Sequence, residues 1–468
     1  MQALERMSGV DRAWLLMDRP DNPMTIVALI VLDEPLKLEA LRELIGRRFL
    51  AFPRFRLRPL ADALGGNWIE TASFNLDDHV VSAALPEPGG QKELETLAGE
   101  LASTPFPPGR PLWSFHLIER YRGGSAIVIR IHHCYADGVA LVQVLLSLSD
   151  RDLAGEAGAH GFGAGGPVAG SPQSLAQLAL DSLRWGSDLL ETGVHYAVNP
   201  AQSVELARQA LGIGSELVRL AMLPDDPATC LKRPLSGRRR LAWAQALSLE
   251  EVHTVGRHLG CTVNDVLISI LAGALGRYFE AEGELVAGLT IRAAVPVNLK
   301  SSATAPGASG TPALGNRFGL VFVELPIGVR HPLERLYAVH AATRALKSSP
   351  QALATFSLLA LVGKLPPAIE EYALALLSAK VSLVASNLPG PSELLTFAGR
   401  RVTEVLFWVP QSGSIGTGIS MLTYGGRVLY GVMADRELIP EPARLVALLA
   451  AEFERLVLLV LLGGGALE

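Results

Sequence analysis

Cysteine is scarce: three residues in 468. Cys134, Cys230 and Cys261 form no CxxC pair and no zinc-type spacing. That pattern excludes a disulfide framework and points to a reducing compartment. Charge is sparse as well, at 19% of residues, with a formal net charge of −5. A nucleic-acid partner would call for a basic excess, so none is expected. No long uninterrupted apolar run is present either. A membrane-spanning helix needs roughly 20 predominantly apolar residues. The longest uncharged stretch, 405–426, contains Pro410, several glycines and Gln and Ser residues, and it alternates like strands. The first twelve residues carry charges and no apolar h-region, so no secretory leader is expected.

What is abundant is aliphatic. Hydrophobic residues make up 49% of the chain, and the mean hydropathy is +0.30. The length allows two or three domains with large cores. Hydropathy this high points to contact with lipid, and without a span the protein is expected to be soluble or peripheral.

Periodicity divides the chain. Residues 25–32 are continuously apolar, the mark of a buried strand. Leu38, Leu41, Ile45 and Phe49 lie on one helical face. Strands are predicted at 112–119 and 125–131, and a helix from Gly138. Residues 155–172, rich in Gly, Ala and Pro, read as a linker or mobile loop, and 174–223 as mostly helical. The second half opens with a strand at 241–247. Ser248 with Glu251 then caps a helix that ends near Gly260, and another helix starts at Thr262 and runs to about residue 280. Strands follow at 289–299 and 318–325, two or three helices at 332–379, and strands at 381–386, 403–408, 415–423 and 428–434. A helix at 441–462 closes the chain. The expected class is α/β (α+β), two halves of similar size around mixed sheets: 1–150, a linker and helical crossover at 151–238, and 239–468. Such halves enclose a channel, and pockets favour interfaces of that kind.

One motif concentrates chemistry: His132-His133-Cys134-Tyr135-Ala136-Asp137-Gly138, directly after a predicted strand. Histidine is the side chain best suited to move protons near neutral pH. Neighbouring side chains on a strand point to opposite faces, so only one of the two histidines faces a shared channel. This argues against a two-histidine metal site, and no HExxH or His-rich cluster occurs elsewhere. No metal is expected. Asp137 reads as a helix N-cap and as a group that orients the histidine loop. Gly138 permits close backbone approach.

His132-His133-Cys-Tyr-Ala-Asp137-Gly138 matches the HHxxxDG motif of the CoA-dependent acyltransferase superfamily. Further segments resemble the bacterial wax ester synthase/diacylglycerol acyltransferases. They are Pro111-Leu112-Trp113 (PLW), Asn264-Asp265 (ND), Ser386-Asn387-Leu388-Pro389-Gly390-Pro391 (SNxPGP), and an opening with Val10-Asp11, Trp14 and Pro23-Met24. The set covers nearly the whole chain in the expected order. Pro296-Val297-Asn298-Leu299-Lys300 departs from the Ser and Arg often carried at that point.

The resemblance implies two chloramphenicol-acetyltransferase-like halves with the active-site channel between them. It implies transfer of a fatty acyl group from acyl-CoA, the co-substrate, to a long-chain alcohol or diacylglycerol, with no permanently bound cofactor. His133 would be the general base, His132 secondary, and Asp137 structural support. Asn264 and the Ser386-Asn387 pair become candidate oxyanion donors or channel residues, with Gly138 beside them. Asp265 and Trp113 carry a second reading, as a helix cap with Thr262 and as a core aromatic. The basic stretch at 232–240 reads as a solvated linker, or else as a contact for CoA phosphates or anionic lipid. Expected partners are acyl-CoA, the acceptor alcohol, and a membrane or lipid-body surface. The expected location is cytoplasmic, on the inner face of the membrane or on lipid inclusions, through helices between 351 and 379. The alternatives are a condensation-type or polyketide-associated acyltransferase fed by a carrier protein, and an inactive lipid-binding protein on the same fold.

Overall fold

The first half folds as β1 (Ala3–Arg6), α1 (Gly9–Leu16), β2 (Thr25–Leu32), α2 (Leu38–Arg47), β3 (Leu57–Ala61), β4 (Gly66–Glu70), β5 (Val80–Ser82), α3 (Gln91–Ser103), β6 (Trp113–Tyr121), β7 (Gly124–His132) and α4 (Gly138–Ser147). The second half begins with β8 (Arg239–Trp243), β9 (Leu247–Ser248), α5 (Leu249–His258), α6 (Val263–Ala281), β10 (Ile291–Asn298) and β11 (Phe318–Leu325). Three helices follow: α7 (Pro332–Lys347), α8 (Gln351–Val362) and α9 (Pro367–Ala379). The chain ends with β12 (Leu383–Pro389), β13 (Thr396–Phe397), β14 (Arg400–Trp408), β15 (Thr417–Tyr424), β16 (Arg427–Asp435) and α10 (Pro442–Leu461). This computed structural model describes residues 3–62, 65–71, 74–150, 214–244, 246–299, 316, 318–347 and 349–463. The predicted linker at 155–172 and most of the predicted helical crossover lie outside the described residues.

Local chemistry explains most element ends. The α6 N-terminus is a reciprocal cap: Asp265 N–H donates to Thr262 Oγ1 at 3.2 Å, and Thr262 N–H donates to Asp265 Oδ2 at 2.9 Å. Ser248 Oγ accepts from Glu251 N–H at 3.3 Å to start α5. That helix stops where Gly260 takes a φ of 67°. The predicted strand at 241–247 is divided into β8 and β9. Trp243 pairs with Gly431 but Leu247 pairs with Val428, so one extra residue bulges out against β16.

Two large mixed sheets result. One has the order β11-β10-β12-β15-β16-β8, with β9 also on β16; the other is β13-β14-β2-β7-β6-β5. A small β1-β4-β3 sheet flanks the second. Strands β2 and β7 are buried along their whole length, as continuous apolar runs require when both faces are covered. The chain is a mixed α/β protein with two lobes, as its sequence predicts.

One strand joins the lobes. β14 comes from the last third of the chain, yet it pairs antiparallel with β2, from Val402 opposite Leu32 to Trp408 opposite Val27. Residues 396–408 therefore belong to the sheet of the first lobe. The core of that lobe also takes in Leu388, Leu422 and Tyr424 from β12 and β15. A separate core packs α5, α6 and α10 against the β11-β10-β12-β15-β16-β8 sheet.

Helix α1 packs tightly on α8. A Cβ at Gly9 would stand 2.4 Å from Ala360 O, and one at Gly363 would stand 1.8 Å from Gly9 O. Both obstacles are backbone and cannot swing aside. Buried Arg12 locks the same joint by donating to Gly363 O at 2.9 Å and Leu365 O at 3.1 Å. Gly363→Ala should push α1 off α8 and destabilise the protein by about 1–3 kcal/mol, the usual cost of overpacking. Urea unfolding measures this, and an unchanged midpoint would mean the joint is loose.

Candidate active site

The motif sits where β7 runs out. His132 is the last residue of the strand and pairs with Thr25. His133 N–H still donates to Met24 O, at 2.9 Å, so the backbone is held one residue beyond the strand. A turn closed by Tyr135 N–H to His132 O leads to Asp137. Asp137 Oδ1 accepts from Ala140 N–H at 2.8 Å and caps α4. The N-cap reading of Asp137 is the one the geometry displays.

The two histidines diverge, as strand alternation requires. His132 is fully buried in the first lobe, edge-on to Phe106. Its Nδ1 accepts from Cys134 N–H at 3.1 Å, which assigns the proton to Nε2, 3.7 Å from Asp18 Oδ1. That separation is a polar contact, too long for a hydrogen bond. Asp18 also accepts from Met24 N–H at 2.8 Å. Burial works to raise the Asp18 pKa, but His132 and Met24 outweigh it and hold the carboxyl below its usual range.

His133 lies at the seam between the lobes. Its ring stacks on Trp14 of α1 at 4.4 Å between centroids and meets Phe318 of β11 at 5.7 Å. Trp14 and Phe318 also stack on each other at 5.7 Å. Nδ1 is enclosed without a hydrogen-bond partner within range. Burial pushes the His133 pKa down to about 4; its own carbonyl, Asp137 and Asn316 oppose the shift only in part. The imidazole is therefore neutral at pH 7 and able to accept a proton.

From the other lobe, the end of β12 abuts this turn. A Cβ on Gly138 would stand 3.1 Å from Leu388 Cδ1, so glycine permits the close approach. Ser386, buried, shares the face of Leu388, two residues away. Asn387 points the other way, and its Nδ2 donates to Asn264 Oδ1 at 3.3 Å. The structure thus brings together Asn264 and Asn387, and sets β12 against Gly138.

Two sequence candidates take their structural reading. Trp113 is 1% exposed; its indole N–H donates to Phe55 O at 2.7 Å, and its ring stacks on His79. It is a core residue of the first lobe. Asp265, besides its cap bond, accepts from Thr343 at 2.6 Å and His340 Nδ1 at 2.8 Å. Cys261 completes a group with Asp265 and His340 whose donor atoms lie within 4.8 Å of one another. The carboxylate oxygens are already engaged, and burial pushes the Cys261 thiol up to about 11, so the donor set suits a helix cap better than a cation.

The basic stretch is not the solvated linker its composition suggests. Lys232 Nζ donates to the carbonyls of Ser378, Ala379 and Val381. Arg239 is buried and bonded to Asn22. Both cations satisfy backbone or amide oxygens where the chain crosses between elements, while Arg233, Arg238 and Arg240 remain exposed.

Three neighbours of His133 escape a reading of the sequence as chemistry: Trp14, Asn316 and Phe318. Asn316 Nδ2 donates to His133 O at 3.0 Å and to Asp11 Oδ1 at 2.9 Å. Phe318 reads only as the first residue of an apolar strand. Nothing in local spacing ties either residue to a motif some 180 positions earlier.

With a pKa of about 4 in the folded protein against 6.5 in the unfolded chain, His133 binds fewer protons folded than unfolded between those values. Its neutral form persists as pH falls through 6.5, and protonation below that works against folding. An NMR titration of the His133 ring should give a midpoint near 4, and a reaction needing the neutral ring should keep its rate well below pH 6. A midpoint between 6 and 7 would contradict the enclosure.

Comparison with known proteins agrees with this geometry. Residues 7–267 match the wax ester synthase/diacylglycerol acyltransferase catalytic domain, and residues 314–457 match the WS/DGAT C-terminal domain. A probable diacylglycerol O-acyltransferase of Mycobacterium tuberculosis is 28% identical over 466 residues, covering 97% of this chain and 96% of its own. The wax ester synthase/diacylglycerol acyltransferase of Marinobacter aquaeolei VT8 has the same fold, with a TM-score of 0.67 at 21% identity over 97% of this chain and 99% of that one. The first condensation domain of the calcium-dependent antibiotic synthetase shares the fold more distantly, with a TM-score of 0.59 at 15% identity, covering 98% and 97% of the two chains. The two domain matches, in order along one two-lobed chain, decide the assignment: this protein belongs to the wax ester synthase/diacylglycerol acyltransferase family.

Proposed function

We propose that this acyltransferase moves a fatty acyl group from coenzyme A to the hydroxyl of a long-chain alcohol or diacylglycerol, with His133 as general base. The observation that carries the reading is a neutral imidazole enclosed at the seam of two lobes, on the turn that follows a rigid strand. Nε2 takes the proton of the acceptor hydroxyl as its oxygen attacks the thioester carbonyl. The tetrahedral intermediate collapses, the C–S bond breaks, and the departing thiolate recovers the proton from His133. No acyl-enzyme is formed. Cys134 is buried and its thiol is pushed well above its usual range, which makes it a poor nucleophile.

The developing oxyanion needs donors. The bond from Asn387 engages Asn264 Oδ1 and turns the Asn264 Nδ2 away from Asn387, which suits Asn264 to that role. Asp137 acts through the turn it caps. A small apolar pocket lies beside α4, with Val142, Leu145, Leu146, Pro391, Phe397 and Val405 among its lining. Its chemistry suits the end of an alkyl chain.

The lipid substrates call for a lipid surface. No single helix among the described residues is long and apolar enough to cross a membrane. Helices α8 and α9 instead expose Leu361, Ile369 and Tyr372, at 51%, 50% and 73%. We assign this face to peripheral contact with the cytoplasmic side of the membrane or with lipid inclusions. Wild-type protein should float with anionic phospholipid vesicles, and the double variant Ile369→Asp, Tyr372→Asp should float far less. Equal flotation would reject this face.

The activity test is release of free thiol from palmitoyl-CoA that depends on added hexadecanol or diacylglycerol. His133→Ala should lower it by about 10²–10⁴-fold, the usual worth of general-base assistance, with the fold intact by circular dichroism. His132→Ala should lose part of the activity through packing. Release with neither acceptor would reject the substrate class, and near wild-type turnover in His133→Ala would reject the base.

A further inference from the structure

The second lobe reaches His133 through one extended segment. Asn316 and Phe318, two residues apart, both face it: Phe318 flanks the ring, and Asn316 bonds the peptide. Asn316 is 4% exposed. Its carboxamide nitrogen commits one hydrogen to His133 O at 3.0 Å and the other to Asp11 Oδ1 at 2.9 Å. Since Met24 O already holds the His133 N–H, this bond fixes the remaining backbone polar group of that residue.

The far end of the tie is anchored as well. Asp11 is 2% exposed, its N–H donates to Ser8 Oγ at 3.0 Å, and Arg54 Nη1 lies 3.7 Å from its Oδ2. Helix α1 carries both Asp11 and Trp14, so the element that stacks on the ring is the element that receives the tie. Among the described residues its Oδ1 is buried with no partner within range, an arrangement that costs about 1–3 kcal/mol in most proteins.

We infer that Asn316 is a positioning residue for acyl transfer: it ties the His133 backbone to Asp11 across the seam and holds the ring against Trp14 and Phe318. The inference rests on His133 being the base. Its chemical sense lies in geometry: holding the His133 carbonyl still fixes the backbone that aims the ring at the arriving acceptor hydroxyl. A tilt of the peptide would misplace the lone pair, and a shift near 1 Å costs about 10²-fold in such reactions.

The test uses the full-length protein and hexadecanol-dependent thiol release from palmitoyl-CoA. Asn316→Ala should lower kcat by about 10–100-fold and leave both KM values within about twofold, because the tie touches neither substrate. In protein labelled with ¹⁵N-histidine, the His133 ring signals should shift and broaden as the ring loses its single fixed orientation. Asp11→Asn keeps an oxygen acceptor for the Asn316 amide and should retain most of kcat, whereas Asp11→Ala should resemble Asn316→Ala. Should the alanine variant not fold, Asn316→Ser carries the same test. Full kcat in the asparagine variants, or a rise in KM alone, would overturn the positioning role. If His133→Ala is inactive while Asn316→Ala is fast, only this inference fails; if His133→Ala stays active, the base assignment itself fails.

Discussion

An imidazole shut against two aromatic rings, one from each half of the chain, sets the terms for everything around it. Enclosure removes the water that would solvate a charged ring, so His133 is held neutral far below the pH at which an exposed histidine would protonate. A neutral ring is what proton abstraction needs, and a dry surround strengthens each dipole aimed at it. The enclosure exists only while both lobes are in place, since Trp14 belongs to α1 and Phe318 to β11. The protonation state of one residue is thus a property of the whole assembly.

Several contacts hold that seam at a fixed width. Strand β2 lies between β7, which delivers the histidines, and β14, which comes from the far end of the sequence. Asn22 takes a bond from Arg239 and donates to Gly413 O and Ile415 O, each at 2.9 Å. Leu388 presses on Gly138 at the start of α4. None of these contacts involves a charge exposed to water, so salt should loosen the seam very little.

The sequence made the local chemistry legible. Thr262 with Asp265 announces a cap, Thr25–Leu32 announces a buried strand, and the alternation of His132 and His133 separates a packed ring from a seam ring. Each of those signals acts over a few residues. What stayed hidden acts across the chain. Asn316 has no spacing that relates it to His133, and the alternating pattern of β14 cannot say which sheet it will join. Lys232 and Arg239 read as solvated charge because composition does not reveal the carbonyl oxygens that a turn will gather around them. Trp113 shows the converse: its PLW setting points toward function, while its indole N–H completes an internal bond to Phe55.

The borrowed strand has a consequence in time. β2 is eight residues long, all but Thr25 apolar, and one of its edges has no partner until β14 is made, roughly 370 residues later. At the usual synthesis rate of about 5–20 residues per second, that edge stays open for roughly 20–70 s. An unpaired apolar edge is a template for pairing with other chains. The nascent first lobe therefore has to be shielded from its neighbours until the second lobe has largely been made, because the strand that covers its open edge lies beyond most of that lobe.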